Sequence, residues 1–414
     1  MGEAVLIRLA VENFRSIRAP VELSLVAEGG DRSAAVRPAF PRPVLGVSLV
    51  PVAGIFGPNG AGKTNLLTAF AWLRRFLEAQ PRAASGVVPL DRFAGSEAPA
   101  GNTSFDLEME IDEVRYEYQL DVSPGGVTYE GLFRYAHGQR LTLCERERGA
   151  TSFRVSGENL PTLVDATPAT LSMLAILGQT EGTHAARFLR ALGASVIIGV
   201  PEHRNRGAGA EGDRSTMSIS SVAARSTNLA ARRLRDRVLA LLTLAEPEVR
   251  AVTIDPAGGS VVPHLVREQG GRSFARRLTD ESAGTRAWFE IIGPALWALD
   301  TGSLLVVDEL DAHLHPMLSE YLVDLFSLTR ANPKGAQLLF SAQSSHLLNS
   351  LDRDQIWFAE KPGDGATRLM SLAEFSGPHA RPPADFESGY LSGRFGAIPE
   401  LSGVVSLRAA RLIG

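Results

Sequence analysis

One cysteine, Cys144, is all that a chain of 414 residues carries, so no intramolecular disulfide can form and a reducing compartment fits. No unbroken apolar run is long enough to cross a bilayer. Met1-Gly2-Glu3-Ala4 lacks the basic-then-apolar order of a secretory leader. The expectation is a soluble, cytoplasmic protein with no membrane partner. Excess charge is missing too. Against 46 acidic side chains stand 42 basic ones, a net charge of −4 that does not advertise nucleic-acid binding, although a local basic face stays compatible with it. Internal repeats, low-complexity tracts and sustained heptads are absent, which excludes an extended coiled-coil arm. What is present, 44% hydrophobic and 21% charged residues, is ordinary globular composition with length for two or three domains' worth of structure.

The most informative stretch is Gly57-Pro58-Asn59-Gly60-Ala61-Gly62-Lys63-Thr64. An apolar run over 50–56 leads in and a helical pattern over 65–77, opened by Asn65, leads out. Strand, glycine loop and helix in that order are the context a Walker A motif needs. The glycines let backbone amides wrap a polyphosphate, and the helix N-terminus adds partial positive charge beneath it. Lys63 is expected to neutralise the β- and γ-phosphates, and Thr64 to offer its hydroxyl to Mg²⁺.

Around this motif the chain alternates in character. Strands are expected over 5–11 and 21–26, and a loop over 29–43. Period-two segments at 105–111, 116–122, 127–135, 141–146 and 152–155 read as an antiparallel sheet with one wet face. Helices are expected over 168–177, 183–192 and 222–244, with a polar, Gly-rich and mobile stretch over 201–215. Strands return at 249–254, 261–267 and 273–278. The last third alternates helix 284–299, strand 304–307, helix 317–330, strand 337–340, a short helix at 346–351 and strand 356–359. That alternation implies a parallel sheet covered on both faces.

Leu304-Leu305-Val306-Val307-Asp308-Glu309 delivers two acids at the end of a buried strand. Asp308 can hold Mg²⁺ directly or through water, and Glu309 is placed to take a proton from an attacking water. Plain helix-cap chemistry is the competing reading for such a pair. Asp280-Glu281-Ser282-Ala283-Gly284-Thr285 precedes a helix and offers a hydroxyl and free amides to a phosphate.

Taken together, Asn13-Phe14-Arg15-Ser16-Ile17, the 57–64 loop, Glu281 to Thr285, and Asp308-Glu309-Leu310-Asp311 followed by Leu314-His315-Pro316 resemble the ABC-type ATPases related to RecF, SMC and OLD proteins. More narrowly, the chain is similar to prokaryotic AAA ATP-binding proteins of anti-phage and abortive-infection systems. Gly389-Tyr390-Leu391-Ser392-Gly393-Arg394-Phe395-Gly396-Ala397-Ile398-Pro399 looks like the closing motif of that subgroup. The resemblance implies that Asn13, Arg15 and Ser16 lie near the nucleotide. It also implies that Ser282 and Gly284 reach a nucleotide on a second subunit and that Asp311 lies beside the partner's site. Turn and cap chemistry is the alternative for each.

One departure stands out. Relatives place a Thr-His or Ser-His pair after the strand equivalent to 337–340, and that histidine contacts the γ-phosphate. Here Phe340-Ser341-Ala342-Gln343-Ser344-Ser345-His346 puts Gln343 at the position, with His346 three residues on. A glutamine amide donates a hydrogen bond but carries no proton for transfer. The expectation is slow hydrolysis, or compensation by His346. His313 and His315 read as structural or capping residues, since no Cys/His cluster accompanies them. Arg225, Arg232, Arg233, Arg235 and Arg237, with Arg272, Arg276 and Arg277, could meet a phosphate backbone or form a solvated face. No nuclease-like acidic constellation follows the ATPase motifs, and the short 400–414 stretch has no room for a toprim domain. Any cutting is therefore expected from another polypeptide.

The expected fold is an α/β P-loop NTPase of ABC-ATPase type, a mixed or parallel central sheet with an antiparallel β-subdomain and a small inserted helical lid. Lobe I is expected over 1–160, the lid over 161–245 and lobe II over 246–414. The expected function is an ATP- and Mg²⁺-dependent switch of an anti-phage defence system. It dimerises or assembles further around ATP and controls a separate nuclease or toxin, with DNA or RNA as a further partner left open. The alternatives are a RecF/SMC-like DNA-repair ATPase and an ATP-bound scaffold with little turnover.

Overall fold

The computed structural model describes residues 4–27, 48–79, 86–95, 101–148, 154–155, 167–201, 229–255, 262–376 and 385–399. The expected loop 29–43, most of the stretch 201–215 and the start of the helix expected at 222 lie outside them.

Among the described residues the strands form three sheets. The first has the order β2 (Val21–Ser24), β1 (Ala4–Glu12), β4 (Thr103–Ile111), β5 (Val114–Ser123), β6 (Gly126–Ala136), β7 (Gln139–Glu147) and β8 (Arg154–Val155), all antiparallel. The second is β10 (Val249–Asp255), β11 (Val262–Gln269) and β12 (Arg272–Arg277). The third is central: β16 (Arg368–Ser371), β15 (Ile356–Glu360), β3 (Val52–Phe56), β14 (Gln337–Ser341), β13 (Leu304–Val307) and β9 (Val196–Ile198). In it only β16 runs antiparallel.

The central strands β3, β13 and β14 are buried at every residue, which is why they read as unbroken apolar runs. Their period-two alternation divides them between two cores. Ala53, Ile55, Leu304, Val306 and Leu339 face the core built with the seven-stranded sheet, while Val52, Phe56, Leu305, Val307, Leu338 and Phe340 face the other. Helix α1 (Lys63–Glu78) fills the first core, where Trp72 stacks on Phe105 with ring centroids 5.0 Å apart. The first core also takes α2 (Met173–Leu177) and α3 (His184–Gly193). The second takes α4 (Leu229–Ala245), α5 (Ala283–Thr301) and α6 (Pro316–Ser327).

So the described part of the segment expected as an inserted lid is woven into the body of the fold. Its α2 and α3 join one core, its α4 the other, and its β9 pairs with β13. The expected helix at 168–177 is shorter than its pattern suggested. Ser172 caps α2 by accepting the Ala175 amide at 3.1 Å, and the buried Glu130 carboxylate takes the Met173 and Leu174 amides. Those bonds fix the start and leave Pro168 outside. Strands β9 and β16 and helix α7 (Phe386–Leu391) carry too few residues for a period to register.

Gln337, at the start of β14, stitches two sheets together. Its Oε1 accepts Leu6 N–H at 2.6 Å and its Nε2 donates to Leu6 O at 2.9 Å. Leu6 pairs with Met109 just before β1 slips register against β4, and the buried amide satisfies both of its backbone groups there.

Candidate active site

The loop between β3 and α1 takes backbone shapes that favour glycine: φ is 145° at Gly57, 82° at Gly60 and 98° at Gly62. Space is also short. A Cβ on Gly57 would lie 2.2 Å from Ala359 O, and one on Gly62 would lie 2.0 Å from Thr367 Oγ1. Ala61 is buried, Pro58 is half-buried, and Asn59 and Gly60 form the exposed crest. Gly62 is the N-cap of α1, so no side chain closes off the helix's first amides. The buried Lys63 ammonium donates to Gly57 O at 2.7 Å and Pro58 O at 3.1 Å. Burial pushes its pKa down, opposed by the charges of Asp308, Asp311 and Glu309.

Strand β13 ends on Asp308. Its Oδ1 accepts hydrogen bonds from Ser341 Oγ at 2.5 Å and Thr64 Oγ1 at 3.1 Å. Burial raises its pKa; the Ser341 and Thr64 hydroxyls pull it back, Glu309 adds to the rise and Lys63 opposes it. Glu309 has φ of 53°, a left-handed shape unusual for glutamate. Ser341 holds it there, accepting Glu309 N–H at Oγ (2.8 Å) and Leu310 N–H at its carbonyl (2.9 Å). Gln343 Nε2 then donates to Glu309 Oε1 at 2.7 Å. The Asp311 carboxylate accepts the amides of Gln343, at 3.1 Å, and Ser344, at 2.6 Å. His346 turns elsewhere. Its Nδ1 lies 2.7 Å from Ser344 Oγ, and its buried Nε2 has no hydrogen-bond partner. Gln343, not His346, reaches Glu309.

The segment after Gln343 runs on into the 3₁₀ helix Ser345–Ser350, which holds the start of the closing stretch. Ser345 Oγ donates to Glu387 Oε1 at 2.7 Å, and Asn349 Oδ1 accepts the amides of Phe386 (2.8 Å) and Glu387 (3.2 Å) at the start of α7. Tyr390 and Phe395 stack on Phe358 of β15 at 5.4 and 5.6 Å.

The N-terminal motif braces the loop. Ser16 Oγ accepts from Asn65 Nδ2 at 2.6 Å and lies 2.7 Å from Thr367 Oγ1, which donates to Ala61 O at 2.9 Å. Arg15 bonds Asp91 at 3.2 Å, Thr68 Oγ1 at 3.3 Å and Asn65 Oδ1 at 3.4 Å. Asn13 is fully buried and spends its amide elsewhere, donating to Gly101 O and Asn102 O (3.1 Å each) and accepting Phe93 N–H at 3.3 Å. It ties Phe93 to Gly101 and Asn102. Ser341 and Thr367 escaped the sequence reading. Ser341 carries a usable signal, a small hydroxyl at the end of a buried strand; Thr367 lies 351 residues from Ser16 and carries none.

Exposed Ser282 caps α5, accepting Thr285 N–H at 3.1 Å. Thr285 Oγ1 donates to Glu246 at 2.5 Å, and Arg267 bridges Glu246 and Glu281 at 2.8 Å each. Burial works to raise the Glu246 pKa, but bonds from Thr285 and Arg267 outweigh it and hold it below the usual 4.5. Gly284 packs against the turn after Asp311: a Cβ there would lie 2.9 Å from His313 O. No hydrogen bond joins Ser282 to the Lys63–Asp308 cluster within the chain. His315 caps α6, its Nδ1 accepting Met317 N–H at 3.3 Å. Among the described residues no His/Cys/Asp/Glu cluster suits a metal ion by itself, and no helix is long and apolar enough to cross a membrane.

A protein-family model described as "AAA domain, putative AbiEii toxin, Type IV TA system" matches residues 52–349. That range holds the glycine loop, Asp308, Glu309, Gln343 and His346. Similar solved structures include an SMC head domain from Thermotoga maritima, 16% identical with a TM-score of 0.43, covering 88% of this chain and 98% of that one. A Smc head with an extended coiled coil bound to the C-terminal domain of ScpA, derived from Pyrococcus furiosus, is 11% identical with a TM-score of 0.46, covering 90% and 97%. A search of curated proteins finds no match.

Proposed function

The chain belongs to this AAA domain family, and from that membership we propose that it is an ATP-hydrolysing switch of a prokaryotic anti-phage defence system. Two copies, or a higher assembly, clasp ATP between them and control a separate nuclease or toxin. The observation that carries the reading is the convergence of four residues from three elements beside one loop: Lys63 from α1, Asp308 and Glu309 from the end of β13, and Gln343 from the end of β14, with Ser341 bonded to both acids.

The donor set fits Mg²⁺. The Thr64 hydroxyl and Asp308 carboxylate are hard oxygens that already share a hydrogen bond, and both suit a small dication. When bound, the ion would neutralise charge on the β- and γ-phosphates. The chain supplies the rest. Amides at the start of α1 receive phosphate oxygens, and Lys63 leaves the Gly57 and Pro58 carbonyls to meet them. Glu309, aimed by the Gln343 amide, takes the proton of the attacking water. Ser282 and Gly284 stand at an exposed helix start, suited to receive the γ-phosphate bound to a second copy. Binding and hydrolysis then shift open and closed populations.

The Gln343–Glu309 bond also favours a second reading, a scaffold that holds ATP with little turnover. Size analysis of the Glu309→Gln form with and without ATP tests the main reading. An ATP-dependent dimer is expected, and a chain that stays equally monomeric in both overturns it. Measurable ATP turnover by the wild type excludes the scaffold.

A further inference from the structure

Among the described residues the three-stranded sheet leaves β12 at an unpaired edge, and every residue from Arg272 to Arg277 is exposed. A strand that serves a core buries alternate residues; this one buries none. It carries Arg272, Arg276 and Arg277 and no acid. Nearby acids are already committed, Glu268 to Arg250 at 3.3 Å and both Glu246 and Glu281 to Arg267 at 2.8 Å. Asp280, past the end of the strand, accepts the Thr279 hydroxyl at 3.3 Å. Among the described residues, none of the three arginine side chains has an ion pair or hydrogen bond. In a chain of net charge −4 this is a local, uncompensated positive strip.

Guarding an edge against stray pairing is the ordinary use of such charges. It does not account for Phe274, which stands 44% exposed between Arg272 and Arg276 on the same face of the strand. An exposed aromatic on a free edge invites the association that guarding charges would prevent. Arginine, ring and arginine at every second residue set each cation about 7 Å from the ring's position along the strand. A stretched nucleic-acid strand presents phosphate, base and phosphate in that order, and bases stack on aromatic rings regardless of sequence. A duplex offers the phosphates but hides the base faces.

We propose that β12 binds single-stranded nucleic acid, with Arg272 and Arg276 on backbone phosphates, Phe274 stacked on a base, and Arg277 adding charge from the opposite face. The strand continues through Leu278–Asp280 to Ser282, so an occupant sits on the segment that sets the N-cap of α5. The surface goes beyond the ATP switch and does not depend on it.

The test is fluorescence anisotropy of the full chain with a labelled oligothymidine of about 20 nucleotides, longer than one such site, titrated at several salt concentrations. Wild type should bind the single strand more tightly than a duplex of equal length. Replacing Arg272, Arg276 and Arg277 together by alanine should weaken binding at least tenfold and flatten the log–log salt slope by about 2. Phe274→Ala should weaken single-strand binding severalfold and leave the slope unchanged. Thermal melts and binding of a fluorescent ATP analogue confirm that each variant folds, and the triple arginine-to-lysine variant should retain affinity if charge is what matters. Any of four outcomes overturns the proposal: no binding by wild type at low salt, an alanine triple that binds like wild type, Phe274→Ala without effect, or a triple that alters self-association alone.

Discussion

Gln343 Nε2 donates to Glu309 Oε1 across 2.7 Å, so the carboxylate proposed to receive a proton from water is held by a neutral amide. The amide can aim the carboxylate, but it cannot pass a proton or place positive charge beside a leaving phosphate. Gln343→His should therefore raise kcat severalfold with little change in KM, and Gln343→Ala should lower kcat. Steady-state ATPase assays of the three proteins decide this, and an unchanged rate in the histidine variant removes the argument.

Ser341→Ala takes a donor from Asp308 and an acceptor from the Glu309 amide at once. A buried group left without its partner costs about 1–3 kcal/mol, which corresponds to roughly 5- to 150-fold. Lower kcat together with a raised Mg²⁺ requirement is expected, measured by Mg²⁺ titration at saturating ATP. A purely structural serine would shift melting without moving the Mg²⁺ midpoint.

Glu246 gives a pH-dependent contribution whose sign is fixed. Its folded pKa lies below the usual 4.5, so the stability it adds is present above 4.5 and lost as pH falls through the folded value. Wild type should melt higher than Glu246→Gln at pH 7, with the gap closing below pH 4.5. A gap that persists unchanged in acid would show that the Thr285 and Arg267 contacts act independently of charge.

Gln337→Leu strips partners from both Leu6 backbone groups inside the core. Two buried orphans should lower unfolding free energy by about 2–4 kcal/mol, read from urea denaturation. A loss below about 0.5 kcal/mol, the scale of a neutral surface change, would mean that water or the slipped β1–β4 register already satisfies them.

Much of this site was legible because its chemistry is local in sequence. Glycine spacing, the apolar strand before it and the helix after it fall within a few residues, and β13 announces Asp308 by the same means. What the sequence could not show is contact between distant segments. Thr367 closes on Ser16 and Ala61 across hundreds of residues, and the Asn13 amide bonds the Gly101 and Asn102 carbonyls. The packing of the segment expected as a lid was hidden for a related reason. The apolar faces of α2, α3 and α4 were visible, but the core each would join depends on sheet order, which no local pattern encodes.

Ser345 and Asn349 hold the start of α7, and they belong to the same short run of chain that begins at Gln343. A backbone shift at Gln343 that takes its side chain off Glu309 would therefore be expected to reach the seat of the last described helix. On the proposed reading, α7 would then act as a pointer on a dial whose spindle is Glu309, and a fluorophore placed on exposed Leu391 would let its position be read directly.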